Sequence, residues 1–121
     1  MALEKDLQKE ILRKYGALTW LRLWRNNTGV AVGMSIIAQY KRMGYIPDNI
    51  PVTRYGTPGA PDIMGIIKGG QFLGIEVKSL TGQQSEEQKA WQRMIESLGG
   101  IYILARKVED VDNILDKSRH P

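Results

Sequence analysis

Asp62, Glu76 and Lys78 are the residues whose types and spacing could together do chemistry on a polyanion. Asp62 follows a loop dense in glycine and proline, Arg54-Tyr55-Gly56-Thr57-Pro58-Gly59-Ala60-Pro61, and opens a candidate strand. Glu76 comes fourteen residues later, inside Gly74-Ile75-Glu76-Val77-Lys78. Strand side chains alternate between faces, so Glu76 and Lys78 project to one side and Ile75 and Val77 to the other. The segment Lys68-Gly69-Gly70-Gln71 between the two apolar runs is a hairpin signal. Antiparallel pairing through it sets Asp62 opposite positions 76–78. Two carboxylates brought together repel, and one pKa rises unless a cation compensates. Mg²⁺ suits that role, because it prefers hard oxygen ligands and keeps several waters. Such an ion polarises a phosphate and lowers the pKa of a bound water, while a lysine ammonium stabilises the charge developing on the phosphate or orients the nucleophile. The bland alternative is an exposed Glu76/Lys78 pair with Asp62 as a turn residue, since charged side chains mostly sit on surfaces. Apolar strands framing both motifs favour the site.

The rest of the composition removes competing chemistries. The chain has 121 residues, the size of one domain spanning 1–121, and no cysteine, so thiol nucleophiles, disulfides and thiolate zinc sites are excluded. Its one histidine, His120, is the penultimate residue, which disfavours a histidine base. No apolar run reaches the ~20 residues of a membrane helix, and no signal-peptide core is present, so a cytoplasmic protein is expected. No Gly-x-Gly-x-x-Gly or Walker-type loop follows a strand, which disfavours nucleotide-binding folds. The net charge of +4 is uneven: residues 1–58 hold nine Lys/Arg against four Asp/Glu, and residues 59–121 hold eight against nine. A basic half beside a carboxylate-bearing half suits a polyanion surface next to a metal site; a mildly basic solvated surface is the other reading.

The elements that must position these residues can be read from periodicity. Residues 3–15 predict a helix, with Leu3, Leu7, Ile11, Leu12 and Tyr15 at helical spacing and Gly16 as a stop. Residues 18–25 read as a strand, and Asn26-Asn27-Thr28-Gly29 as a turn. Ser35–Met43 suggests a short helix; the surrounding stretch from 30 to 53 is poorly legible. Asp62–Ile67 and Phe72–Ser79 read as the two strands of the hairpin. Ser85 and Gln88 form a Ser-x-x-Gln capping box, with Glu86 and Glu87 at the positive end of the dipole. The helix they open carries Trp91, Met94, Ile95 and Leu98 as its apolar stripe and closes at Gly99. Ile101–Leu104 is an apolar strand, and Val108–Leu115 a final helix. This order predicts an α/β fold with a mixed central β-sheet flanked by helices.

At this point a resemblance becomes specific. Pro61-Asp62 with Glu76-Val77-Lys78 resembles the Pro-Asp…(Asp/Glu)-x-Lys signature of the PD-(D/E)xK nuclease superfamily. Gly56-Thr57-Pro58-Gly59-Ala60-Pro61-Asp62-Ile63, with Gly74-Ile75-Glu76-Val77-Lys78, Gly82, Ser85 and Gln88, resembles its VRR-NUC branch, the virus-type replication-repair nucleases. The resemblance implies a restriction-endonuclease-like core and a Mg²⁺ ion, replaceable by Mn²⁺, bound by Asp62, Glu76 and the Val77 carbonyl. It implies that Lys78 assists catalysis, that Gln88 lies at the site and that a glutamate of the first helix contributes, which here is Glu4. Helical geometry agrees with that choice: at about 100° per residue Glu4 lies about 20° from the centre of the inward stripe, and Glu10 about 100° away. Glu4 can also be read as an acidic first-turn residue, and Gln88 as the capping-box member alone.

Arg22, Arg25, Lys41, Arg42, Arg54 and Tyr55 are the candidate DNA contacts, each otherwise a solvated surface group. Trp20 and Trp24, beside Arg22 and Arg25, read as core residues rather than base-stacking platforms. The expected activity is a metal-dependent DNA endonuclease. Small stand-alone proteins of this branch resemble junction resolvases, which implies a homodimer acting on Holliday junctions or flaps in bacterial or viral replication and repair. A restriction-type nuclease on linear duplex and a DNA-binding module without catalysis are the alternatives.

Overall fold

Helical and alternating patterns along the chain become ten elements in the computed structural model, which describes residues 3–26, 29, 30, 34–45, 47, 54, 55 and 57–118. They are α1 (Leu3–Tyr15), β1 (Leu21–Arg25), β2 (Gly29–Val30), α2 (Met34–Arg42), β3 (Arg54–Tyr55), β4 (Ile63–Ile67), β5 (Gln71–Val77), α3 (Glu86–Ser97), β6 (Ile101–Ala105) and α4 (Val108–Ser118). Strands β1, β4, β5 and β6 lie side by side in that order, antiparallel except for the parallel pair β5–β6. A parallel pair needs a crossover, and α3 provides it. The result is the mixed α/β sheet flanked by helices that the sequence predicts.

One face of the sheet is closed by α1 and α4. Alternation sends Leu21 and Leu23 of β1, Ile63 and Ile67 of β4, Leu73, Ile75 and Val77 of β5, and Ile103 and Ala105 of β6 to that face. Ile11 and Tyr15 of α1 and Val111 and Leu115 of α4 meet them there, all buried. A polar tie crosses the rim of this layer. Lys14 Nζ donates to Asp112 Oδ1 at 2.8 Å, and the Tyr15 hydroxyl donates to the same oxygen. These two donors, Lys14 first, hold the Asp112 carboxyl below its ordinary value.

The hairpin turn is where glycine is required. Gly69 and Gly70 have φ of 99° and 92°, and the Gly70 N–H donates to the Ile67 carbonyl at 2.9 Å. In α3 the Ser85 hydroxyl accepts from the Gln88 N–H while the Gln88 side chain accepts from the Ser85 N–H, completing the capping box.

Three expectations are corrected. The first strand begins at Leu21, not position 18, because residues 16–21 turn: the Leu18 N–H donates to the Leu21 carbonyl and the Leu23 N–H to the Gly16 carbonyl. Gly29, read as the end of a turn, and Val30, in the poorly legible stretch, pair with Arg54–Tyr55, read as part of a loop, as a two-stranded antiparallel ribbon. Two-residue strands are too short to carry a period-2 pattern, so no sequence signal marked them. Finally, the apolar stripe of α3 is only partly covered, with Ile95 buried and Met94 and Leu98 exposed. His120 lies outside the described residues. Among the described residues no helix is long and apolar enough to cross a membrane.

Ile75 is fully buried at the open end of the hairpin, between Ile63 and Ile103. Ile75→Ala should lower unfolding free energy by about 2–5 kcal/mol in urea titrations; a loss within measurement error would mean that this layer is not the core.

Candidate active site

The pairing Ile63↔Ile75 places position 62 across from position 76, at the low end of the range anticipated from the hairpin. The loop before Asp62 is clamped rather than free. Trp91 Nε1 donates to the Pro58 carbonyl at 3.2 Å, and Gly59, at φ 84°, packs so closely on Glu87 of α3 that a Cβ would lie 2.6 Å from its backbone. Asn26, just past β1, donates its N–H to the Asp62 carbonyl at 2.8 Å and its side-chain amide to the Pro61 carbonyl at 3.1 Å. Gly74, opposite Met64, faces Pro61 and Ile95, where a Cβ would come within 2.8 Å of the proline ring. Glycine at 59 and 74 thus lets the loop sit down between α3 and the sheet.

Each acidic side chain is oriented by one donor. Asp62 Oδ2 accepts from the Val77 N–H at 2.8 Å, so the strand end itself holds Asp62 in place. Glu76 Oε2 accepts from the Gln88 side-chain amide at 2.9 Å, with the Lys78 ammonium 3.9 Å away. Glu76 Oε1 is buried and has no hydrogen-bond partner. The residue is 3% exposed, the one buried charged side chain among the described residues. Burial pushes its carboxyl from an ordinary 4.5 up to about 8; Asp62 adds to the rise, Lys78 opposes it, and Glu4 contributes a smaller increase. A buried carboxylate oxygen with no donor is costly, and a hard divalent cation is the partner that its chemistry fits.

Gln88 resolves the two readings of its role by using different atoms for each. Its carbonyl oxygen accepts from the Ser85 N–H at 2.9 Å, and its amide nitrogen serves Glu76. Glu4 Oε1 accepts from the Ser79 N–H at 3.0 Å, one residue beyond Lys78. It therefore joins the rim of the site, but the three carboxylates Glu4, Asp62 and Glu76 do not close into a ligand cluster; among the described residues no group of three His, Cys, Asp or Glu does so. Holding the Ser79 N–H keeps Glu4 apart from the other two.

Two further parts carried no sequence signal. Arg106, after β6, donates through Nη1 to the Ser79 and Gly82 carbonyls, each at 2.6 Å, and so pins the segment that follows Lys78. Tyr102 of β6 accepts from Gln84 Nε2 at 3.1 Å, and burial raises its hydroxyl pKa to about 12. Neither belongs to a local pattern, because both contacts span residues far apart in the chain. Arg22 and Arg25 lie on the edge strand β1, both exposed. Lys41 and Arg42 form the last turn of α2. For Arg54 and Tyr55 the structure describes the backbone of β3 but not the side chains.

Compared with solved structures, the chain is similar to one described as a "VRR_NUC domain protein", with a TM-score of 0.59 over 95% of this chain and 86% of that one. The fold is VRR-NUC-like. Sequence identity between the two is 17%, so the likeness is one of architecture. No family model matches the sequence, and no curated protein does. Within this VRR-NUC-like fold Asp62, Glu76 and Lys78 cluster where β4 begins and β5 ends, with Gln88 supplied by the first turn of α3 and Glu4 by the first turn of α1.

Because the folded pKa of Glu76 lies above the ordinary value, its protonated form favours folding. That contribution is full below about pH 4.5 and is lost as pH rises through about 8. In EDTA, the melting temperature of Glu76→Gln minus that of the wild type should therefore grow between those limits. A difference that stays flat across the window would mean that Glu76 is not a strained buried acid.

Proposed function

We propose that this protein is a metal-dependent endonuclease that hydrolyses DNA phosphodiester bonds, acting on branched DNA as a homodimer. The observation that carries the reading is the unpartnered buried oxygen of Glu76, set beside Asp62 and Lys78 at the end of β5.

The chain's own groups divide the work. Asp62, held by the Val77 N–H, and Glu76, held by Gln88, each commit one oxygen to the protein, and the other oxygens with the Val77 carbonyl are the proposed ligands. Mg²⁺ or Mn²⁺ bound there would supply Lewis-acid polarisation of the scissile phosphate and a nucleophile at neutral pH. The Lys78 ammonium stabilises charge that develops on the phosphoryl oxygens, and its backbone is anchored by the Lys78 N–H donating to the Ala105 carbonyl at 3.0 Å. Gln88 keeps Glu76 from swinging toward Lys78, which preserves the open oxygen. Glu4 adds negative charge near the ion and fixes Ser79. Because Glu4 does not close into a group with the other two carboxylates, its proposed ligation is through a water. Arg22, Arg25, Lys41, Arg42, Arg54 and Tyr55 are the proposed phosphate contacts. A C2 dimer would match the two-fold symmetry of a four-way junction with two active sites.

Matched linear duplex, flap and four-way-junction DNA should be offered with Mg²⁺, Mn²⁺ or EDTA. Metal-dependent cutting is expected, strongest on branched DNA, and Lys78→Ala, Glu76→Gln and Asp62→Asn should each reduce it roughly 10²-fold or more. Cutting of linear duplex alone would replace the branched-DNA reading with a restriction-type one. Tight binding without cutting in either metal would leave a DNA-binding module in place of the enzyme.

A further inference from the structure

The face of the sheet opposite α1 and α4 is only half covered. Helix α3 lies over β5 and β6, with Ile95 against Gly74. Toward β1 and β4 the same face leaves Arg22, Trp24 and Ile66 exposed. Cross-strand partners share a face, so the register Arg22↔Ile66, Trp24↔Met64 and Met64↔Gly74 puts Arg22, Trp24, Met64 and Ile66 on the face that carries Glu76. Trp24 is 43% exposed and Ile66 49%. The sequence reads the tryptophans as core, and Trp20 does pack against the core cluster. Trp24 does not.

An indole left in solvent on the active-site face calls for a partner. Three features say which. Trp24 pairs with Met64, two residues from Asp62, which places it about 8 Å from Asp62 at 3.3 Å per residue and about 5 Å between strands. That is within about three stacked nucleotides, at 3.4 Å each. The strand positions 22, 24, 64 and 66, exposed except for the half-buried Met64, carry one arginine and three apolar or aromatic residues, with no carboxylate. Arg22, two residues before the indole on the same face of β1, forms no ion pair among the described residues. Cations beside an exposed aromatic ring are complementary to a phosphodiester strand with accessible bases. A base in an intact duplex is stacked on its neighbours and cannot offer its face.

We propose that Trp24, with Arg22 beside it on the open half of the sheet, is a stacking platform for an unpaired base of a nucleic-acid strand leading into the active site. This rests on the nuclease reading for the identity of the polymer. It narrows the substrate to DNA with single-stranded character beside the scissile bond.

The test is binding, measured in EDTA with the Lys78→Ala chain so that cleavage plays no part. Fluorescence anisotropy compares a labelled blunt duplex with the same duplex carrying a short single-stranded thymidine arm. The arm should tighten binding, and Trp24→Ala should weaken binding of the armed duplex roughly tenfold while leaving the blunt duplex nearly unchanged. Trp24→Phe should retain most of the preference. Trp24→Leu, which keeps apolar bulk without a π face, should lose it, and thermal melts confirm that each variant is folded. No preference for the arm, equal losses on both DNAs, or a Leu variant as good as Phe would overturn the platform. A change of sedimentation mass in Trp24→Ala, with DNA binding unaltered, would assign the face to a second copy of the chain instead. The outcome is separable from that of the cleavage assay, because an arm preference can stand without cutting, and cutting can stand without the preference.

Discussion

A slip of one residue between β4 and β5 would turn Glu76 and Lys78 into the hydrophobic layer and drive Ile75 and Val77 out of it. Everything else at the site depends on that slip not happening. Gly69 and Gly70 set the turn with two left-handed residues, and the apolar set Leu73, Ile75 and Val77 has a full layer to enter beneath α1 and α4. The register is thus fixed from both ends, by turn geometry and by burial. Only in that register does the Val77 N–H reach Asp62 and the Glu76 side chain reach Gln88.

The same arrangement stores electrostatic tension at one point. Glu76 is removed from water beside a second carboxylate, with a single amide donor and a lysine that reaches only one of its oxygens. A fold that needed only stability would place an apolar residue there. The surrounding structure instead resists relaxation: α3 supplies the amide from a capped first turn, Trp91 and Gly59 clamp the loop before Asp62, and Arg106 pins the segment after Lys78. Rigid elements surround a strained group, which is how a binding site is kept ready for its ligand.

Asymmetry between the two sheet faces completes the organisation. One face is sealed by two helices and supplies the core. Among the described residues the other is covered where α3 crosses it, and the part from the acidic site to the edge strand has Arg22 and Trp24 exposed along it. The open surface and the site belong to one continuous face because strand alternation carries Trp24, Met64, Gly74 and Glu76 to the same side.

Local chemistry in the sequence determined a large part of this. Periodicity and caps were enough for α1, α3 and α4, since each has a full apolar stripe or a complete capping box. Two glycines between apolar runs were enough for the hairpin and hence for the meeting of Asp62 with Glu76. The tertiary structure decided what depends on neighbours distant in the chain. It packed a partly buried Trp20 against the core and left Trp24 exposed, and alternation along β1 says which residues share a face without saying whether that face is covered. It left Met94 and Leu98 of the α3 stripe exposed. It gave Gln88 two partners at once, tied Glu4 to Ser79 and brought Arg106 onto the Ser79–Gly82 segment, contacts that no local pattern encodes. Hydrophobic periodicity fixes which way a side chain points; only the packed chain decides what it meets there.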